Sequence, residues 1–143
     1  AFERLRYQTD QYALRKRRPR VFLITMGNLA MRRARAQFAG NFFGCAGYEV
    51  IDNNGFVDAK QAVDAFLKSK ADIAVVCSSD AEYIILVPEL FGKLKDKALF
   101  VVAGYPKEIL EKLQEMGIRH FIHIRSNVLE TLQEFQKLLG IKN

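Results

Sequence analysis

Five short apolar runs, at residues 21–26, 48–52, 72–77, 99–103 and 121–124, alternate with segments of helical period. Each run has strand length and is too short for a buried helix. A helix between two strands returns the chain to the same end of the sheet, so successive strands run parallel. Parallel strands are covered on both faces and joined by right-handed crossovers. The run Ile73, Ala74, Val75, Val76 has no polar alternation, as expected for a strand buried on both faces. The arrangement that satisfies these constraints is an α/β fold: a flavodoxin-like (Rossmann-like) five-stranded parallel sheet in order 2-1-3-4-5, with helices on both faces.

The helical segments carry their own punctuation. Ala30, Ala34, Phe38, Phe42 and Cys45 form a stripe that predicts a helix over 30–46, closed by Gly47. A helix over 60–70 would turn Ala62, Val63, Phe66 and Leu67 inward. One over 81–94 holds Pro88, a kink or a boundary. Segment 107–116 stops at Gly117, and 128–139 starts at Ser126 or Asn127 and stops at Gly140. Before the first strand, Phe2, Leu5, Thr9 and Tyr12 recur at helical spacing as far as about residue 17, where Pro19 approaches. The expected division is therefore a connecting helix and linker at 1–18 and the α/β domain proper at 19–143.

Charge narrows the partners. The formal net charge is +6, but residues 1–20 alone carry +5 and Arg32, Arg33 and Arg35 another +3. The remainder is slightly acidic, so the basicity is local. Arg15, Lys16, Arg17 and Arg18 lack the interleaved aromatics of a single-strand binder. They read as a solvated linker or a strip facing an acidic partner surface, with no nucleic acid. Arg32, Arg33 and Arg35 read as a solvated helix face or a partner contact. No apolar stretch reaches membrane-spanning length, and the first residues are charged rather than signal-like. Cys45 and Cys77 lack metal-site spacing and sit among apolar residues. They read as buried free thiols, which fits a cytoplasmic, reducing compartment.

In this fold ligands bind at the carboxyl ends of the strands, at the switch point between strands one and three. The residues there are Gly27 to Ala34, then Ser78, Ser79 and Asp80, with Ala103 and Gly104 alongside. This edge offers no dinucleotide fingerprint, because Gly27 stands alone, and no phosphate-loop Lys. A phosphoacceptor site would need acids after strand one and an Asp directly after strand three. Asp80 falls one step late and reads as a helix N-cap. Ser78 and Ser79 have no base near them in sequence and read as caps. His120 and His123, three apart on a strand, point to opposite faces, which is wrong for a shared metal.

The segments VFLITMGNLAM at 21–31, RARAQF at 33–38, NFF at 41–43, GYEVIDN at 47–53, CSSDAEY at 77–83, VVAG at 101–104 and NVLETL at 127–132 are similar to the small subunit of bacterial methylmalonyl-CoA mutase. The similarity covers about residues 19–141. It implies the C-terminal, cobalamin-binding-type domain of that subunit, with a barrel domain upstream. It further implies a heterodimer with a large subunit that holds adenosylcobalamin and interconverts succinyl-CoA and (R)-methylmalonyl-CoA. In the large subunit the first turn carries Asp-x-His-x-x-Gly, where His ligates cobalt and Asp orients it. Ser-x-Leu after strand three and Gly-Gly after strand four line the pocket of the cofactor's nucleotide tail. Here the Asp falls on Leu29 (Asn28 being the nearest polar neighbour), the His on Met31 and the Gly on Ala34. The tail pocket falls on Ser78, Ser79, Ala103 and Gly104.

The resemblance thus implies a vestigial cobalamin face on a non-catalytic domain, with no metal and no cofactor of its own. Leu29 and Met31 are expected to fill the groove, leaving 30–46 ordered without a ligand. Two alternatives stay open. One is cobalamin held by Met31 or by no protein ligand. The other is an unrelated small ligand at Asn28 and Ser78 to Asp80, which would need a cavity there.

Overall fold

The computed structural model describes residues 1–141, so the last two positions of the expected 19–143 domain lie outside the described residues. Five parallel strands, β1 (Arg20–Thr25), β2 (Glu49–Ile51), β3 (Ile73–Cys77), β4 (Leu99–Ala103) and β5 (His120–Ile122), form one sheet in the order β2-β1-β3-β4-β5. The expected flavodoxin-like order is the observed one. Among the described residues six helices surround it: α1 (Phe2–Arg15), α2 (Leu29–Gly44), α3 (Ala59–Ser69), α4 (Asp80–Leu94), α5 (Leu110–Glu115) and α6 (Val128–Leu138).

Strand alternation sorts the core into two layers. Val21 and Leu23 of β1 face one way, with Phe42 and Phe43 of α2 and Phe135 of α6. Phe22 and Ile24 face the other, with Phe66 of α3 and Leu90 and Leu94 of α4. Phe43 lies between Tyr48 and Phe135, stacked on each at 6.2 and 5.7 Å. β3 is buried along its whole length, as its unbroken apolar run predicts.

Several local details differ from the expected ones. The buried face of α2 is Ala36, Ala39, Phe42 and Phe43, while Ala30, Ala34 and Cys45 are exposed. Two alanines let this helix come close to the sheet, and the larger phenylalanines then fill the space near its end. Cys77 is buried, with its thiol pushed up by burial, but Cys45 is a free thiol open to solvent. Leu67 of α3 is likewise exposed. Ser79, not Asp80, caps α4. Pro88 neither ends nor starts that helix but sits inside it, beside the exposed turn of Ile84 and Ile85. An unbonded carbonyl there has water within reach, which lowers the cost of the missing N–H.

α1 packs onto the domain. Leu5 joins the core beside Phe135, and the buried Gln136 Nε2 donates to the Leu5 carbonyl at 3.0 Å. In the basic run that follows, Arg15 and Lys16 are exposed, and the next arginines bond to backbone carbonyls at the surface. Arg17 donates to the Lys70 carbonyl, Arg18 to the Gly47 carbonyl at 2.7 Å, and Arg20 to the Ser69 carbonyl at 3.1 Å. Asp72, Asp10 and Glu49 pair with the same three side chains. Arg17, Arg18 and Arg20 thus fasten the start of the sheet while Arg15, Lys16 and Arg17 remain exposed to solvent. No helix among the described residues is long and apolar enough to cross a membrane.

Candidate functional site

The carboxyl ends of β1, β3 and β4 meet at the switch point. Gly27 leaves β1 at φ +78°, a conformation that favours glycine, and Asn28 caps α2 by accepting from the Met31 N–H at 3.0 Å. Leu29 is 61% exposed and Met31 38% exposed, so the expected filling of the groove by these two side chains does not occur. Ala34 is exposed as well. Met31 and Ala34 lie off the inward face formed by Ala36, Ala39, Phe42 and Phe43. Leu29, seven positions before Ala36 and so on nearly the same face, is exposed because it is the first residue of α2, two turns before the buried part of the helix begins.

The crevice is instead taken by two charged side chains. Arg35, only 18% exposed, crosses from α2 to the β3–α4 loop. It donates to the Ser78 carbonyl at 2.6 Å and pairs with Asp80 at 2.8 Å. Its guanidinium lies over the Tyr83 ring, 5.2 Å from the centroid. Gly104, at φ +131°, gives it room: a Cβ there would stand 2.9 Å from the guanidinium carbon. Tyr83 is buried, donates its hydroxyl to the Ala103 carbonyl at 2.5 Å and accepts from the Ser78 N–H at 3.0 Å. Burial pushes that hydroxyl well above the ordinary tyrosine range.

Glu82 reaches the other way, from α4 to the β1–α2 loop. One carboxylate oxygen accepts from the Ser79 hydroxyl at 2.6 Å, the Asn28 N–H at 2.8 Å and the Ser78 hydroxyl at 3.1 Å. The Ser79 hydroxyl first, and then the Asn28 N–H, hold this carboxyl below the usual carboxylate range. The second oxygen lies over Gly27, where a Cβ would collide with it. Arg32 ties the next loop in, donating to the carbonyls of Gly27 at 3.1 Å and Asn54 at 3.3 Å.

Of the residues expected at this edge, Ser78, Ser79, Ala103 and Gly104 come together, and Asn28 joins them through its N–H. Leu29, Met31 and Ala34 do not. Arg35 and Glu82 are the missed residues. Arg35 reads in sequence as one cation of a solvated helix face. Glu82 had a local signal, because Ser79 and Glu82 stand at capping-box spacing. A cavity of about 460 Å³ lies one step along the sheet, against Asp80, Ala81, Ile84, Tyr105, Pro106 and Ile109, and not at Asn28, Ser78 and Ser79. His123 packs on Tyr105 at 4.7 Å and His120 on Phe135 at 5.3 Å. Among the described residues no three His, Cys, Asp or Glu side chains converge to hold a metal ion.

Fold and edge together define the class: a doubly wound, flavodoxin-like α/β domain whose switch-point crevice is bridged by its own Arg and Glu side chains. No family model matches the chain. It is 51% identical over 141 residues to the methylmalonyl-CoA mutase small subunit of Porphyromonas gingivalis, covering 99% of this chain and 22% of that protein. The small subunit from Streptomyces virginiae is 40% identical over 84 residues, 58% of this chain and 14% of that protein. The probable small subunit from Mycobacterium bovis is 39% identical over 143 positions, 97% of this chain and 23% of that protein. The chain is homologous to the methylmalonyl-CoA mutase small subunits, and it spans about a fifth of the length of the first of these relatives.

Proposed function

We propose that the chain is a non-catalytic, structural domain of the small subunit of a heterodimeric methylmalonyl-CoA mutase, standing at the C-terminal end of that subunit in the cytoplasm. Its partner is the large subunit, which would hold the adenosylcobalamin for interconverting succinyl-CoA and (R)-methylmalonyl-CoA. The radical chemistry is the cofactor's own. The role of this domain is to keep its fold and pack in the assembly.

The observation that carries this reading is Arg35. Its guanidinium lies between Ser78 and Gly104, the positions that the resemblance assigns to the cofactor's tail pocket. A second support is the first turn of α2. The place of the cobalt-ligating His is held by Met31, whose thioether is a conceivable soft ligand, but its neighbours Leu29 and Ala30 supply no carboxylate to orient it. The residues present therefore do not suit cobalamin. Arg17 and Arg18 are engaged with backbone carbonyls and with Asp72 and Asp10, and the run lacks interleaved aromatics, which supports a reading without nucleic acid. Two free thiols fit a reducing compartment.

Titration of the chain with hydroxocobalamin tests the reading. The expected result is an unchanged cobalamin spectrum and an unchanged melting temperature. Tight binding with a base-off spectrum would overturn it.

A further inference from the structure

Ser78 stands between the two charged heads of the crevice. Its carbonyl accepts from Arg35 and its hydroxyl donates to Glu82. The heads come from different helices, and each reaches a loop outside its own βα unit. Capping alone does not account for Glu82. In a capping box the carboxylate returns to the backbone N–H of the capping Ser. Here it takes the Ser79 hydroxyl and then extends to the N–H of Asn28, 54 positions away in sequence.

The surroundings of each head have the chemistry of a binding site. Around Glu82, two hydroxyls and a backbone N–H converge on one oxygen at 2.6–3.1 Å, a donor set suited to a carboxylate or another small oxyanion. Around Arg35, a carbonyl, a carboxylate and an aromatic face suit a planar cation. Gly27 and Gly104 each lack the side chain that would collide with the head beside it.

We propose that the switch-point crevice is a ligand site occupied in cis, with the Glu82 carboxylate as its resident oxyanion and the Arg35 guanidinium as its resident cation. Tethering keeps both heads at high effective concentration, so a free ligand is excluded by competition as well as by shape. This rests on the reading that the edge is no longer a cobalamin site, and it specifies what took the cofactor's place.

Chemical rescue tests it. Glu82→Ala leaves the donor set empty, and Arg35→Ala leaves the acceptor set empty. Each is expected to lower the melting temperature by about 5 °C. Sodium acetate, raised through the millimolar range, should recover much of the loss in Glu82→Ala beyond what sodium chloride does at equal ionic strength, and should not help Arg35→Ala. Methylguanidinium chloride should do the reverse. Absence of rescue, or equal rescue of both variants by both ions, overturns the proposal. If Glu82→Ala is obtained only unfolded, refolding in acetate against chloride decides the matter: recovery in acetate alone supports cis occupancy, and equal yields in both overturn it. The wild type is titrated with hydroxocobalamin alongside. Binding there overturns the functional reading and this inference together. No binding, with no ion-selective rescue, overturns cis occupancy alone.

Discussion

Both ends of the sheet are fastened by arginines that donate to backbone carbonyls, yet the two ends are built differently. At the amino ends of the strands, Arg17, Arg18 and Arg20 stay partly in water and pair with the partly exposed Asp72, Asp10 and Glu49. At the carboxyl ends, Arg35 is mostly covered, lies on a buried tyrosine and is seated against Gly104, where a Cβ would crowd the guanidinium at 2.9 Å. Exposed pairs are weak and screened by salt, and Asp80 is as exposed as the acids at the other end, so what sets Arg35 apart is its covered guanidinium on the buried Tyr83 ring and the Ser78 carbonyl. The same residue type thus serves as a surface fastener at one end and as part of the interior at the other. The difference lies in what surrounds it.

The sharpest way to break this contrast is to remove the floor under Arg35. Tyr83→Ala takes away a buried ring and leaves the Ser78 N–H and the Ala103 carbonyl without their partner. A loss of about 4 kcal/mol is expected, read from urea unfolding. Arg35→Ala should cost about 2 kcal/mol, with little change between low and moderate salt. By contrast, Arg18→Ala should cost about 0.5 kcal/mol, and its pairing with Asp10 should fade in added salt. An equal salt response of the two arginine variants would erase the distinction between the ends.

Acid offers a finer probe. The carboxyl of Glu82 titrates below its unfolded value, so its contribution is present above the ordinary carboxylate range and is lost as pH falls through its folded value. His120, pulled down mainly by burial, also loses stability on acidification, but at higher pH. Glu82→Gln should therefore flatten only the acidic limb of the stability profile and leave the histidine limb in place. Hydrogen–deuterium exchange or thermal melts across pH would show it. The smallest effect is expected for the double substitution Leu29→Asp with Met31→His. Both positions are exposed, so stability should change by less than about 0.5 kcal/mol. The pair restores the lost Asp and His types but leaves the crevice held by Arg35 and Glu82, so hydroxocobalamin should still not bind.

The architecture was legible because its signals are local. Run length and the absence of alternation marked β3, Gly140 marked the end of α6 and Asn127 its start, while α2 ends at Gly44, three residues before the expected Gly47. The phase of α2 was not legible. Apolar residues occur on all its sides, and the smaller ones, Ala36 and Ala39, proved to be the inward ones. The site was only half legible. Ser78, Ser79, Ala103 and Gly104 follow from topology, because the switch point is set by strand order. The burial of Arg35 depends on Ser78, Asp80, Tyr83 and Gly104, which are far away in sequence. A lone arginine on a helix carries no sign of that.

The two cysteines give this arrangement a practical use. Cys77 is sealed in the sheet, while Cys45 sits open at the end of α2 remote from Arg32 and Arg35. A thiol-reactive fluorophore would therefore attach at a single position in the unaltered sequence. Its anisotropy would report the mobility of that end of α2, packed through Phe42, Phe43 and Ala46, with no engineered reporter needed.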